Sequence, residues 1–265
     1  MAQLRFTILG CGSSAGVPRI GGDWGHCDPS EPKNRRRRCS LLVERINGDA
    51  ITRVLIDTSP DMRDQLLGAG IGTLDAVVYT HSHADHVHGI DDLRQIVHNQ
   101  HRRLPVWADA PTQDALISRF AYAFVQPHGS PYPPILDLHD INGPFDISGA
   151  GGAIRFTPFT VDHGSMDALG FRVGNLAYLP DVVAIPEAVW PHLMGLECWI
   201  LDALRRKPHP THAHLALSLE WIARAKPQAA VITNMHIDMD YATLLGELPA
   251  GTSPAHDGMT FTFSD

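Results

Sequence analysis

The chain has 265 residues and a formal net charge of −8 at pH 7. This length is enough for one large domain or two small ones with a substantial buried core. The acidic excess argues against an extended nucleic-acid-binding surface, because such a surface depends on many Lys and Arg contacts with phosphates. No apolar run approaches the roughly 20 residues that span a bilayer. The four cysteines show no disulfide-framework spacing, so we expect a cytoplasmic protein without a membrane partner.

The hydrophobic pattern predicts strands first and then strands interleaved with helices. Apolar and β-branched runs predict strands at residues 4–9, 40–44, 53–57, 76–79, 104–107, 154–159, 170–173, 176–179, 199–202 and 229–233. Apolar residues at helical spacing predict helices at residues 61–67, 91–97, 111–124 and 215–225. No linker or repeat divides the sequence, so we expect a single domain over residues 1–265. The order favours an α+β fold with a sheet-on-sheet core, although the pattern alone leaves a doubly wound α/β sheet open.

Three imidazoles and one carboxylate follow the predicted strand at residues 76–79. They belong to His81, His83, Asp85 and His86. Because neighbouring residues of an extended segment point to opposite sides, His81 and His83 share a side and can hold one ion. A turn after His83 would let Asp85 and His86 face a second ion. Borderline divalent ions such as zinc take ligands of this kind.

This H-x-H-x-D-H motif resembles that of the metallo-β-lactamase-fold hydrolases. The texts G-C-G-S-S-A-G-V-P at residues 10–18, N-R-R at 34–36 and C-S at 39–40 are similar to one branch of them. That branch is the phosphoribosyl cyclic phosphate phosphodiesterases of phosphonate catabolism. The resemblance implies a four-layer αββα sandwich with a metal site at one edge between the two sheets.

The resemblance also implies further ligands and a binuclear centre. His163 matches the family's third histidine, and Asp181 matches the carboxylate that bridges two ions. Asp57 matches a residue that receives a hydrogen bond from a ligand histidine and fixes its ring. Asp85 is assigned to both the metal ligands and the catalytic residues.

The last ligand departs from the pattern of the branch. Asn234 stands where the catalytic-metal histidine aligns, and Ile237 stands where a structural-zinc histidine aligns. Only Cys27 remains of the three thiols of that zinc site, so we expect no structural zinc, which needs four ligands. For the catalytic site we favour His236, two positions after Asn234 on the same side of an extended chain. Asn234 is the alternative.

Two further histidines precede the predicted helix at residues 215–225. His212 matches a family histidine that lies near the scissile phosphate, whereas His214 keeps the family's spacing to His236. Either imidazole is suited to donate a proton to a departing alkoxide. The arginine run at residues 35–38 is interpreted as a solvated loop or as a local phosphate contact.

We therefore expect a metal-dependent phosphodiesterase that binds two divalent ions. Two such ions share a hydroxide whose pKa is lowered and bind phosphate oxygens; zinc or manganese suits the ligands best, and iron also suits them. The expected substrate is a small cyclic phosphate or a nucleotide. A tRNA-processing ribonuclease, a thioester or β-lactam hydrolase of the same fold, and a degenerate nucleotide- or metal-binding module remain alternatives. The sequence also leaves a homodimer open.

Overall fold

Two seven-stranded β-sheets dominate the computed structural model, which describes residues 2–126 and 128–264. The first sheet has the order β14-β1-β2-β3-β4-β5-β6. Its strands are β1 (Gln3–Gly10), β2 (Ser40–Asn47), β3 (Ala50–Ile56), β4 (Ala76–Val78), β5 (Leu104–Ala108), β6 (Leu136–Asp140) and β14 (Thr260–Ser264). Strand β2 pairs antiparallel with β3, and β3, β4, β5 and β6 are parallel neighbours.

The parallel part of the first sheet places the histidine motif. Parallel strands have their carboxyl ends at the same edge of a sheet. Asp57 follows β3 directly, and Thr80 and His81 lie just beyond β4. The residues after these two strands therefore meet at one edge of the sheet, where the Thr80 amide donates a hydrogen bond to Asp57.

The second sheet has the order β13-β12-β11-β10-β9-β8-β7. Its strands are β7 (Phe145–Gly149), β8 (Gly152–Asp162), β9 (Asp167–Val173), β10 (Leu176–Leu179), β11 (Cys198–Asp202), β12 (Ala229–Thr233) and β13 (Thr252–Pro254). Strands β10 to β13 are parallel, whereas β9 is antiparallel to both β8 and β10. Asp181, Asp202 and Asn234 stand at or just after the carboxyl ends of β10, β11 and β12.

The helices are α1 (Met62–Ala69), α2 (Ala84–Val87), α3 (Leu93–Gln100), α4 (Ala110–Phe124), α5 (Leu215–Ala225) and α6 (Tyr241–Glu247). Carboxylates begin two of them: Asp109 accepts a hydrogen bond from the Thr112 amide, and Asp240 accepts one from the Thr243 amide. Such bonds satisfy amides that have no partner within the helix. No helix in the described ranges has the length and apolar character needed to cross a bilayer.

The Cα positions divide the chain into two compact units. One unit comprises Met1–Thr7, Ser40–Arg155 and Thr260–Asp265, and the other comprises Ile8–Cys39 and Phe156–Met259. Each has its own buried apolar residues, such as Leu55 and Val77 in the first and Leu179 and Trp199 in the second. The expectation of one domain over residues 1–265 stays a prediction.

Several predicted elements are confirmed and others were missed. The strand predicted at residues 229–233 and the helix predicted at 215–225 have the observed bounds. The missed elements are β6, β7, β13, β14, α2 and α6. Strand β6 has the sequence L-D-L-H-D and lies at the edge of its sheet. It was missed because it contains no apolar run, and only its pairing with β5 identifies it as a strand. Strand β14 alternates Thr and Phe, which is a strand signal that the sequence does carry.

The core can be tested with two leucines of the first unit. Leu55 in β3 is fully buried, whereas Leu67 in α1 is 65% exposed. We expect Leu55→Ala to lower the free energy of unfolding by about 2–5 kcal/mol, because it removes buried methyl groups and leaves a cavity. Leu67→Ala is the matched control and should change it by less than about 0.5 kcal/mol. Urea denaturation measures both, and equal effects would contradict this description of the core.

Candidate functional site

The first pair of motif histidines is close enough to share an ion. His81 is fully buried directly after β4, and its Nε2 lies 3.0 Å from Nδ1 of His83. Imidazole nitrogens bind zinc at about 2.0–2.1 Å, so two nitrogens at this separation can be ligands of one ion. The alternation of side chains in the sequence predicted this shared side.

A buried carboxylate orients the last histidine of the motif. Asp57 accepts hydrogen bonds of 2.8 Å from both the amide and the hydroxyl of Thr80, and its Oδ2 lies 2.7 Å from Nδ1 of His86. Burial raises the pKa of Asp57, while His86 and the hydrogen bonds act in the opposite direction. With Nδ1–H directed at Asp57, Nε2 of His86 carries the lone pair that a metal requires.

The chain turns immediately after His83, as the sequence analysis expected, but it does so by starting a short helix that was not predicted. Helix α2 begins at Ala84, with Asp85 in its first turn. Oδ2 of Asp85 lies 3.5 Å from Nε2 of His86. Asp85 and His86 therefore present one oxygen and one nitrogen side by side, and the ring centroid of His86 lies 4.3 Å from that of His81.

The second unit contains its own group of potential ligands. His163 is fully buried after β8, and Asp181 is 3% exposed after β10. Nδ1 of His163 lies 2.7 Å from the carbonyl oxygen of Thr211, so this nitrogen donates and Nε2 carries the lone pair. Nε2 in turn lies 3.9 Å from Oδ1 of Asp181.

His212 stands beside this pair and is held by a carboxylate that the sequence analysis missed. Its Nδ1 lies 3.0 Å from Oδ2 of Asp202 and 3.4 Å from Oδ1 of Asp181. Burial raises the pKa of Asp202 to about 7, and the nearby His212 opposes that rise. Asp202 is the last residue of the buried strand β11, and Asp57 similarly comes directly after β3. A carboxylate at the carboxyl end of a buried strand was therefore the sequence signal that could have identified Asp202.

Asn234 bonds to the same carboxylates. Its Nδ2 lies 3.2 Å from Oδ1 of Asp181 and 3.3 Å from Oδ1 of Asp202. The backbone at Asn234 is left-handed, with φ 60°, a conformation that Asn tolerates better than most residues. The chain is therefore not extended here, and the premise that His236 shares a side with Asn234 is wrong.

His236 lies in other surroundings. Its Nδ1 is 3.1 Å from Oδ1 of Asp238, and its Nε2 contacts the guanidinium of Arg19. His214 flanks the start of α5, where its carbonyl accepts a hydrogen bond from the Ser218 amide. The assignment of His236 as a metal ligand stays a prediction. The assignment of His214 as a catalytic residue also stays a prediction.

The chemistry of the donors in both units fits a divalent transition metal. In the second unit His163, Asp181 and His212 each offer one ligand atom, and these atoms lie within 4.8 Å of one another. In the first unit, His81 lies beside His83, and Asp85 lies beside His86. Imidazole together with carboxylate suits zinc, manganese and iron.

Two other features of the sequence have structural roles in the second unit. Arg36 is buried and donates hydrogen bonds to the Met239 carbonyl and to Oδ1 of Asn34, so the solvated-loop interpretation is wrong for this residue. Cys27, the thiol that remains of the family's zinc site, packs against Val17 and Ile237 in a small apolar cluster.

Residues 52–237 match the family model described as the β-lactamase superfamily domain. The chain belongs to this superfamily. The match confirms the family predicted from the motif and its α+β fold of two mixed sheets with helices. It is a family of hydrolases, so the broad class of activity predicted from the sequence is also confirmed.

Individual superfamily relatives refine this placement. A diphosphatase of the PhnP family is 38% identical, with a TM-score of 0.88 over 99% of this chain and 98% of that one. Zn²⁺-bound PqqB from Methylobacterium extorquens shares the fold at 17% identity, with a TM-score of 0.72 over 97% of this chain and 99% of that one. An octanoyltransferase of Porphyromonas gingivalis is 34% identical over 97% of this chain but only 51% of its own length. The chain thus spans about half the length of this curated relative.

The role of Asp57 can be tested through metal affinity. Asp57→Ala removes the acceptor that fixes the ring of His86, and we expect it to weaken binding of a divalent ion by about 10–100-fold. Asp64→Ala is the control, because its side chain is 75% exposed and forms a surface ion pair with Arg63. Equilibrium dialysis with zinc measures both variants. Equal affinities would show that Asp57 does not support a ligand.

Proposed function

We propose that this protein is a metal-dependent hydrolase that cleaves a phosphodiester bond, in a small cyclic phosphate or a nucleotide. The observation that carries the proposal is a set of imidazoles and carboxylates, of which His81, His86, His163 and Asp181 are buried. His86 and His163 are each held at Nδ1 by an oxygen of the protein, which leaves Nε2 for a metal. Superfamily membership and the 38% identity to a diphosphatase of the PhnP family support it. We propose two divalent ions per chain.

Four of the proposed ligands belong to the H-x-H-x-D-H motif, and two follow strands β8 and β10. They are His81, His83, Asp85, His86, His163 and Asp181. When bound, two ions would lower the pKa of water and offset the negative charge of a phosphate. The residues themselves supply orientation: Asp57 fixes His86, and the Thr211 carbonyl fixes His163.

His212 is the proposed proton donor. Its Nδ1 faces Oδ2 of Asp202 at 3.0 Å, so a protonated ring is stabilised by that carboxylate and presents its second proton at Nε2. An alkoxide leaving from a phosphodiester needs such a proton, because its conjugate acid has a high pKa. His212 is partly exposed, with 16% of its side chain accessible, which lets a substrate approach it.

A diphosphate is the second candidate substrate. The observation that favours it is the similarity to the diphosphatase, which extends over nearly the full length of both chains. The reaction has the same outline, since water attacks one phosphorus and the other phosphate leaves. A phosphate leaving group is a weaker base than an alkoxide, so it depends less on a proton from His212.

Acyl transfer has less support. The name octanoyltransferase belongs to a protein that this chain matches over only 51% of its length, so the name can describe a part that this chain lacks. A thiolate is a frequent acyl acceptor, but Cys11, Cys27, Cys39 and Cys198 are all buried. Burial raises the pKa of each of these thiols, which disfavours the reactive thiolate.

A substrate panel tests the proposed function. We expect the purified protein to contain about two equivalents of zinc, manganese or iron by elemental analysis. It should hydrolyse bis-p-nitrophenyl phosphate, a 2′,3′-cyclic nucleotide or diadenosine diphosphate, and lose that activity when a chelator removes the metal. Turnover of a glutathione thioester or a β-lactam without any phosphate substrate would refute the proposal, and tRNA cleavage alone would indicate the ribonuclease alternative.

The role of His212 is tested with two leaving groups. We expect His212→Ala to slow hydrolysis of a cyclic nucleotide by about 10²–10⁴-fold, because its alkoxide leaves without a proton. A p-nitrophenyl ester should be affected much less, since its phenolate is a good leaving group. His214→Ala is the matched neighbour and should leave both rates near those of the wild type. Loss of an ion from His212→Ala would make His212 a ligand instead.

A further inference from the structure

The carboxyl-terminal part of helix α4 contacts the segment that carries the histidine motif. Nη1 of Arg119 donates a hydrogen bond to the carbonyl oxygen of Ser82, which lies in the middle of the first H-x-H pair. The ring of Phe120 meets that of His88 edge to face, with centroids 5.7 Å apart and planes at 84°. All four residues belong to the first unit, so these contacts lie within one compact body.

Helix α4 is interrupted where it makes these contacts. Within Ala110–Phe124, Phe120 has φ −132° and ψ 33°, which is outside the helical range. Two residues later, the hydroxyl of Tyr122 donates to Oδ1 of Asp91 at 3.0 Å. Three side chains around the interruption therefore contact the chain between residues 82 and 91. We name Arg119, Phe120 and Tyr122 the α4 anchor.

Arg119 uses its guanidinium on the backbone rather than on a carboxylate. Within the described ranges it takes part in no ion pair, whereas Arg155 of the same unit pairs with Asp146 at 2.9 Å. A hydrogen bond from a charged donor is about twice as strong as one between neutral groups. The bond from Arg119 therefore holds the Ser82 carbonyl in a defined direction.

The direction of this carbonyl matters because of the nitrogen that His83 presents. Nδ1 of His83 lies 3.0 Å from Nε2 of His81, so Nδ1 is the atom that would share an ion with His81. It is also the ring nitrogen nearer the main chain. The Ser82 carbonyl belongs to the peptide group that leads into His83, and a rotation of this group changes the direction of the His83 side chain. A fixed peptide group therefore fixes the position of the ligand atom.

The neighbouring rings of the motif are oriented through their own nitrogens instead. Nδ1 of His81 lies 3.0 Å from the hydroxyl of Thr80, and Nδ1 of His86 lies 2.7 Å from Oδ2 of Asp57. At His83 an anchor on Nδ1 would compete with the ion. The bond from α4 to the preceding carbonyl supports this residue without that competition.

We propose that Arg119 is a positioning residue for the ion that His81 and His83 share. It acts through the Ser82 carbonyl and is not itself a ligand. The other two residues of the α4 anchor keep this end of the helix beside the motif. The inference rests on the proposed function, since it takes His81 and His83 as ligands, and it deepens that function by assigning the support of the pair to a helix outside the motif.

Zinc release from the zinc-loaded full-length protein to a coloured chelator tests this role. Arg119→Met keeps an unbranched stem and removes the donors. We expect it to weaken the binding of one of the two ions by about 10–100-fold, the loss typical of residues that orient metal ligands, and to leave the other ion as in the wild type. Arg119→Lys should restore most of the affinity, because an ammonium group also donates to a carbonyl.

The cobalt-loaded protein gives a second readout, since the visible absorption of cobalt depends on the geometry of its ligands. We expect Arg119→Met to alter this absorption, which a loss of stability alone would not do. An absorption identical to that of the wild type would contradict the positioning role.

Two control variants separate the bond to Ser82 from other effects. Arg155→Met makes the same substitution at a surface ion pair. Tyr122→Phe removes the hydroxyl of the α4 anchor that bonds to Asp91, outside the ligand pair. We expect both variants to hold zinc as the wild type does. If Tyr122→Phe weakens zinc binding as much as Arg119→Met does, the general anchoring of α4 is responsible and the assignment of Arg119 is wrong.

Two further outcomes would refute the inference. A guanidinium near a metal ion repels it, although solvent screens the exposed charge of Arg119. Tighter zinc binding by Arg119→Met would show that this repulsion outweighs the bond to Ser82. Unchanged zinc binding together with a lower melting temperature would make Arg119 a structural residue only.

The positioning role and the proposed function can fail separately, because zinc release needs no turnover. If Arg119→Met weakens zinc binding as expected but the wild type hydrolyses no phosphate substrate, the proposed function fails and the positioning role stands. If the wild type hydrolyses a phosphate substrate and Arg119→Met holds zinc equally well, only the positioning role fails. A wild type that binds no zinc refutes both.

Discussion

The buried carboxylate of Asp57 is the interaction on which the histidine motif depends. An ionised carboxylate without hydrogen-bond donors is costly to bury, and Asp57 is fully buried. The amide and hydroxyl of Thr80 and the ring of His86 satisfy it. The same bonds fix the start of the motif through Thr80 and its end through His86, although Asp57 itself lies far earlier in the sequence. The backbone at Asp57 is left-handed, with φ 63°, a conformation that Asp adopts more readily than most residues.

The second unit uses the same construction with other partners. His163 donates from Nδ1 to a backbone carbonyl, and His212 donates from Nδ1 to Asp202. In each case one nitrogen of the ring is occupied by the protein, which fixes both the tautomer and the direction of the other nitrogen. Asp57 and Asp202 both lie at the carboxyl ends of parallel strands. The topology of each sheet therefore determines where its carboxylate meets a histidine.

The sequence predicted the parts of the site that follow from local periodicity. Alternation along an extended segment placed His81 beside His83, and the turn after His83 brought Asp85 beside His86. The same reasoning failed at His236, because Asn234 leaves the extended conformation and ends the alternation. Asp202 escaped notice because its partner His212 comes from a loop ten residues later, and only the folded chain brings the two together. Local patterns predict neighbours along a strand, whereas contacts between loops depend on tertiary structure.

Net charge and local charge answer different questions about ligands. A formal charge of −8 disfavours a long polyanion, whose binding sums contacts over a broad surface. A single phosphate is much smaller than this surface, and at physiological ionic strength charges beyond about 8 Å are largely screened. The binding of one phosphate group therefore depends on the few side chains that touch it. A formal charge of −8 therefore says nothing against the binding of a small phosphate compound, and composition alone does not reveal which groups would touch it.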